Sequence, residues 1–200
     1  MTGLTVHNQG LSQLDYVTAS YHSSIWRAAG NANPSVLECM DMYHQVIENP
    51  HVDTISHPTF YLPEEHKLRM TAQEWLELFR NMRQRNVAFE INLDSTNLTR
   101  DPNNNLDRDL IRHAMLEGVP LIVGFDFHYL EDWGCLPSPP MVLTEREATQ
   151  LFYEHSRNGG INRLLTRVLS NIEVLKQLGV QPRDIVNSSP ELFTSWLRKR

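Results

Sequence analysis

The sequence predicts a parallel α/β fold, and three observations carry that prediction. Short apolar runs rich in β-branched and aromatic residues alternate along the chain with longer amphipathic stretches. The elements follow one another in the order β-α-β-α-β-α-β-α-α-β-α, the rhythm of a parallel sheet with crossover helices. The run at 120–125 (PLIVGF) is almost wholly apolar, as expected of a central strand buried on both faces.

Each element has its own local reason. Residues 15–20 (DYVTAS) predict the first strand, at an exposed edge. Val36, Leu37, Met40, Tyr43, Val46 and Ile47 recur at helical spacing and predict a helix over 35–48, which Asn49-Pro50 stops. A short strand over 52–56 is closed by His57-Pro58, and a charged, proline-bearing loop follows to residue 70. Thr71 and Glu74 form a capping box at the start of a helix whose buried stripe is Trp75, Leu78, Phe79 and Met82. Residues 87–92 (VAFEIN) read as the next strand. Asn105 is a suitable N-cap for a helix over 106–117, which Gly118 ends. After the strand at 120–125 come a proline-rich loop at 136–140, a second capping box at Thr144 and Glu147 opening a helix over 145–157, and a break at Asn158-Gly159-Gly160. A helix over 162–178 ends at Gly179, residues 184–187 (DIVN) predict a last short strand, and Pro190 starts a final helix. No repeat or linker divides residues 1–200, so a single domain is expected. Its C-terminal end reads as finished, whereas its N-terminal end enters a strand almost directly.

The composition narrows the classes of function. The chain has 200 residues, 40% hydrophobic, with 18 Lys+Arg against 24 Asp+Glu, a net charge of −6. That excludes disordered and low-complexity readings, and the mild acidity argues against nucleic-acid binding. The two cysteines, Cys39 and Cys135, lie in no CxxC pair, which excludes a cysteine zinc site and points to a reducing compartment. The N-terminus lacks a basic segment followed by an apolar one, so no signal peptide is read and a cytoplasmic location is expected. No apolar run approaches the ~20 residues needed to span a bilayer, so no membrane partner is expected.

Chemistry gathers where the predicted strands end. The first is followed by Tyr21-His22, the second by His57, the third carries Glu90 and Asn92, and the fourth runs into Asp126-Phe127-His128. In parallel α/β barrels, active residues stand at the C-terminal ends of the strands. Imidazole is the commonest metal ligand and carboxylate its usual companion. Each residue also has a plainer reading. His22 suits a loop residue bonded to backbone, and His57-Pro58 suits a turn. Glu90 needs a partner inside an apolar strand, and an arginine would serve as well as a metal. His7, His44, His51, His66, His113 and His155 read as surface or packing residues. No nucleophile elbow, Walker loop or dinucleotide fingerprint is present.

Taken together, residues 14–23 (LDYVTASYHS), 49–58 (NPHVDTISHP), 88–92 (AFEIN), 123–128 (VGFDFH) and 184–190 (DIVNSSP) resemble the second half of a PHP domain, the polymerase and histidinol phosphatase family. The order and rough spacing of the motifs match, over nearly the whole chain. The resemblance implies a distorted β/α barrel, of which this chain is a C-terminal portion, with an insertion within 136–180. It implies up to three divalent metal ions (zinc, manganese or iron) and hydrolysis of phosphoesters, with a small phosphorylated substrate. His22 and His57 match two histidines that bind one metal, Asp126 the aspartate of a second, and His128 the histidine of a third. Glu90 and Asn92 match a strand pair near the site, Glu90 as a catalytic candidate beside Asp126 and His128, and Asn92 as a substrate contact. Arg27 and Arg100 follow strands, where either could meet a substrate phosphate, although an exposed, solvated arginine is the plainer reading.

The sequence departs from the family at its start. The family's opening His-x-His strand is absent, and no acidic residue precedes Asp15. The expectation is therefore a partial barrel that is incomplete as an enzyme. It would bind metal weakly and release little phosphate alone, and its complement would be a missing N-terminal half or an oligomer partner. The alternative is a non-catalytic interaction or regulatory module derived from a PHP domain.

Overall fold

The computed structural model describes residues 8–22, 30, 34–58, 72–93, 98, 106–124 and 160–198, with the backbone alone over 160–167. A single helical turn α1 (Asn8–Leu11) leads into β1 (Thr18–Ser20). There follow α2 (Val36–Glu48), β2 (Thr54–Ser56), α3 (Ala72–Arg85), β3 (Ala88–Asn92), α4 (Leu106–Glu117), β4 (Leu121–Gly124), α5 (Gly160–Gln177), a 3-10 turn at Pro182–Asp184 and α6 (Pro190–Leu197). The four strands form one sheet in the order β1-β2-β3-β4, every pair parallel. This is the predicted α/β class, with β1 at an edge among the described residues.

Local chemistry explains the helix boundaries. Ser35 Oγ accepts the Glu38 N–H at 3.2 Å while Glu38 Oε2 accepts the Ser35 N–H at 2.7 Å, a reciprocal cap that starts α2. Ser189 Oγ accepts the Leu192 N–H, with Pro190 at the first position of α6. Gly118 and Gly179, at φ of 72° and 87°, end α4 and α5 in the left-handed region that glycine enters without steric cost. The Thr71, Asn105 and Thr144 caps and the helix at 145–157 lie outside the described residues, as do the loop at 136–140 and Cys135.

The sheet has two unlike faces because strand side chains alternate. Ala19, Ile55, Phe89, Ile91 and Leu121 face the main core, packed with Cys39, Tyr43 and Ile47 of α2, Trp75, Phe79 and Met82 of α3, and Leu110 and Ile111 of α4. Trp75 stacks on Phe79, whose ring meets Phe89 edge-on at 5.5 Å. On the opposite face, Ala88 and Ile122 pack beneath α6 through Trp196, Phe193 and Leu197, joined by Tyr16 and Val186.

Two expectations are corrected here. Among the described residues the strand at 120–125 is not central: β4 ends the row of named strands, and β2 and β3 are flanked on both sides. Its apolar character comes from being sandwiched, with Leu121 in the main core and Ile122 under Trp196. The predicted strand at 184–187 is reduced to one bridge, Leu121 with Ile185. Past that point a side chain replaces the backbone ladder. Asn187 accepts the Val123 N–H at 3.0 Å through Oδ1 and donates to the Val123 carbonyl at 2.7 Å through Nδ2. The carboxamide carries the same donor and acceptor pair as a peptide, so it satisfies the edge of β4 without a further strand.

Candidate functional site

The second face of the sheet changes character along the strands. At their N-terminal ends it is covered by α6. Towards their C-terminal ends it becomes polar. The Tyr16 hydroxyl donates to Thr54 Oγ1 at 2.8 Å, and the Thr18 and Ser56 hydroxyls share a hydrogen bond of 2.5 Å. Next on this face is Glu90, followed by Asn92, which is fully buried and in register with Gly124 of β4. His22 stands two residues beyond β1 and His57 one residue beyond β2. Their rings meet edge to face, with centroids 5.4 Å apart.

His57 is the most constrained of these residues. Only 6% of it is exposed, and its φ of 32° lies in the left-handed region that non-glycine residues seldom occupy. Its backbone N–H donates to Glu90 Oε2 at 2.7 Å. The carbonyl of the next residue, Pro58, accepts the buried Tyr43 hydroxyl at 2.5 Å. Glu90 also lies against β4, where a Cβ added at Gly124 would collide with its carboxylate. Any side chain at 124 would therefore force the Glu90 carboxylate to move. His22, His57, Glu90 and Asn92 each engage further groups as well.

Behind His22 the environment is apolar. Burial raises the Tyr21 hydroxyl above its ordinary pKa, holds Tyr43 well above it, and pushes the Cys39 thiol up to about 11. Cys39 is fully buried, in no disulfide, and protonated at neutral pH, so it is a packing residue rather than a nucleophile. Burial likewise raises Tyr16, against the opposing hydrogen bond to Thr54.

The structure thus brings together His22, His57 and Glu90 at the C-terminal edge of the sheet, with Asn92 on the same strand as Glu90. Asp126, His128, Arg27 and Arg100 lie outside the described residues, as do His7, His66 and His155. Of the remaining histidines, His44 Nδ1 pairs with Asn81 Nδ2 at 3.1 Å, away from this cluster. Two residues that shape the sheet were not singled out in the sequence. Asp53, 6% exposed, accepts the Val17 N–H at 2.7 Å and ties the start of β1 to β2. Tyr43 fixes the turn after His57, although its helical spacing marked it only as core.

The donor chemistry of the two imidazoles suits a divalent metal. At the usual ~2.0–2.1 Å metal–nitrogen distance and a tetrahedral angle, two imidazoles sharing one ion have ring centres about 5 Å apart. The observed 5.4 Å, at an interplanar angle of 87°, is close to that separation and is also that of an ordinary edge-to-face ring contact. Among the described residues no group of three or more His, Cys, Asp or Glu is placed to hold an ion. Also among them, no helix is long and apolar enough to cross a membrane. Comparison with family models and with curated proteins found no match for the chain.

Proposed function

We propose that the chain forms the C-terminal portion of a PHP-type barrel and serves metal-dependent hydrolysis of phosphoesters, of the histidinol-phosphatase-like kind. The observation that carries this reading is the meeting of His22 and His57. They follow neighbouring parallel strands, 35 positions apart in sequence, yet their imidazoles lie 5.4 Å apart at the end of the sheet. Two imidazoles at a polar strand end supply part of the ligand set a metal site needs, and β4 ends two residues before Asp126.

In this reading His22 and His57 hold one ion through neutral imidazole nitrogens, and Asp126 and His128 supply ligands for further ions. A divalent ion there would polarise a phosphoryl oxygen and lower the pKa of a water molecule. Asn92 and Arg27 are assigned to the substrate. The hydroxyl-lined face below keeps the site polar, and α6 closes the opposite end against water. The test is elemental analysis for zinc, manganese and iron, together with phosphate release from a generic phosphomonoester and from histidinol phosphate. His57→Ala is expected to lower both metal content and turnover at least tenfold. The second reading is a non-catalytic interaction or regulatory module derived from such a domain. Metal retention without phosphate release from either substrate would select it.

A further inference from the structure

We infer that Glu90 and Tyr43 are positioning residues that clamp the His57–Pro58 turn from its two ends. The inference rests on the proposed metal-binding role of His57 and assigns a separate task to the residues around it.

The left-handed conformation of His57 is unfavourable for a residue with a Cβ, so the surroundings must impose it. Two hydrogen bonds do so. The Glu90 carboxylate receives the His57 N–H at 2.7 Å, a charge-assisted bond. The Tyr43 hydroxyl, fully buried on α2, donates to the Pro58 carbonyl at 2.5 Å. One holds the peptide entering His57 from β3, and the other holds the peptide leaving Pro58 from α2. With both ends fixed, the imidazole is set edge to face against His22.

Gly124 makes the arrangement specific. Glu90 reaches along the sheet face, and its carboxylate occupies the space that a side chain at 124 would fill. Its position therefore joins three strand ends: β2 through the His57 amide, β3 through its own backbone, and β4 through close approach to Gly124. A Cβ at 124 would force the carboxylate that holds the His57 amide to shift, without altering any histidine.

The substitutions Glu90→Gln and Glu90→Ala separate positioning from ligation. Glutamine keeps an oxygen that can accept the His57 N–H but is a poor metal ligand. Two readouts are needed on the full chain: amide hydrogen exchange at His57 by NMR, and Co²⁺ affinity by optical titration. Glu90→Ala and Gly124→Ala are expected to speed His57 exchange at least tenfold and to weaken Co²⁺ binding about tenfold, the lower range for loss of a group that orients a ligand. Glu90→Gln is expected to stay within about threefold of the parent in both. Tyr43→Phe, which keeps the ring, is expected to weaken Co²⁺ severalfold with little change in thermal midpoint. If Glu90→Gln weakens Co²⁺ as much as Glu90→Ala while His57 exchange is unchanged, Glu90 is a ligand and the inference is wrong. If neither the parent nor any variant binds Co²⁺, the metal reading fails, and the exchange rates alone decide whether Glu90 holds His57.

Discussion

The two ends of one sheet face are built to different rules. At the N-terminal ends of the strands, Ala88 and Ile122 lie under Trp196 and Phe193, and the rings of Tyr16, Phe193 and Trp196 pack within 5.4–6.4 Å of one another. At the C-terminal ends the same face carries hydroxyls, a carboxylate, a buried amide and two imidazoles, one on a left-handed backbone. Apolar burial stabilises the first end. The second places polar groups and backbone strain in a partly buried space, an arrangement that costs stability and is found at functional sites. The contrast implies that stability and ligand binding can be altered separately along the same strands.

The largest expected effect tests the apolar end. Trp196→Ala should lower unfolding free energy by about 3 kcal/mol, because it empties the space between α6 and the sheet. Chemical denaturation would measure this, and Co²⁺ affinity of the folded fraction should not change. Loss of Co²⁺ binding with stability intact would reverse the roles of the two ends.

A next effect concerns pH. The Cys39 pKa is raised in the folded state from 9.0 to about 11, so the unfolded chain loses its proton first as pH rises. Its contribution is full below pH 9 and is lost between pH 9 and 11, by at most about 3 kcal/mol for two units at 1.36 kcal/mol per unit. The raised Tyr16, Tyr21 and Tyr43 act in the same direction at higher pH. Urea midpoints at pH 8 and pH 11 should show the fall, and Cys39→Ala should flatten the part of it between pH 9 and 11.

Asp53→Asn should cost about 1 kcal/mol, the difference between a charged and a neutral acceptor for the Val17 N–H. This loosens β1 on β2, and faster amide exchange at Val17 would register it. The smallest stability effect is expected at the polar end itself. His57→Gly relieves the left-handed strain but loses side-chain packing, so the net change should stay under about 1 kcal/mol while Co²⁺ affinity falls at least tenfold. A large stability loss here would make His57 a structural residue and dissolve the contrast between the ends.

The contrast was only partly legible in the sequence. The strands and helices were, because alternation and the Trp75, Leu78, Phe79, Met82 spacing report which side chains are buried. The strand-end positions of His22, His57 and Glu90 followed from the same pattern. Strand order was not legible, since Leu121 and Ile122 are buried by α-helices on both faces whether or not β4 is central. The substitution of Asn187 for a fifth strand was hidden because a carboxamide in a DIVN run carries no sign of its partner at Val123. The cap at Ser35 and Glu38 did have a sequence signal, a serine three residues before a glutamate, which helical periodicity alone passed over. The role of Glu90 towards the His57 amide depends on a contact across two strands, which no spacing rule reports.

The most direct test is a double-mutant cycle on the two imidazoles. Co²⁺ affinity would be measured for the parent, His22→Ala, His57→Ala and the doubly substituted chain, with circular dichroism confirming that each is folded. If the histidines share one ion, each single substitution weakens binding at least tenfold. The double then costs no more than about threefold beyond the worse single, because the second ligand contributes little once the first is gone. Parent-like affinity in either single variant, or losses that simply add, would contradict a shared site between β1 and β2.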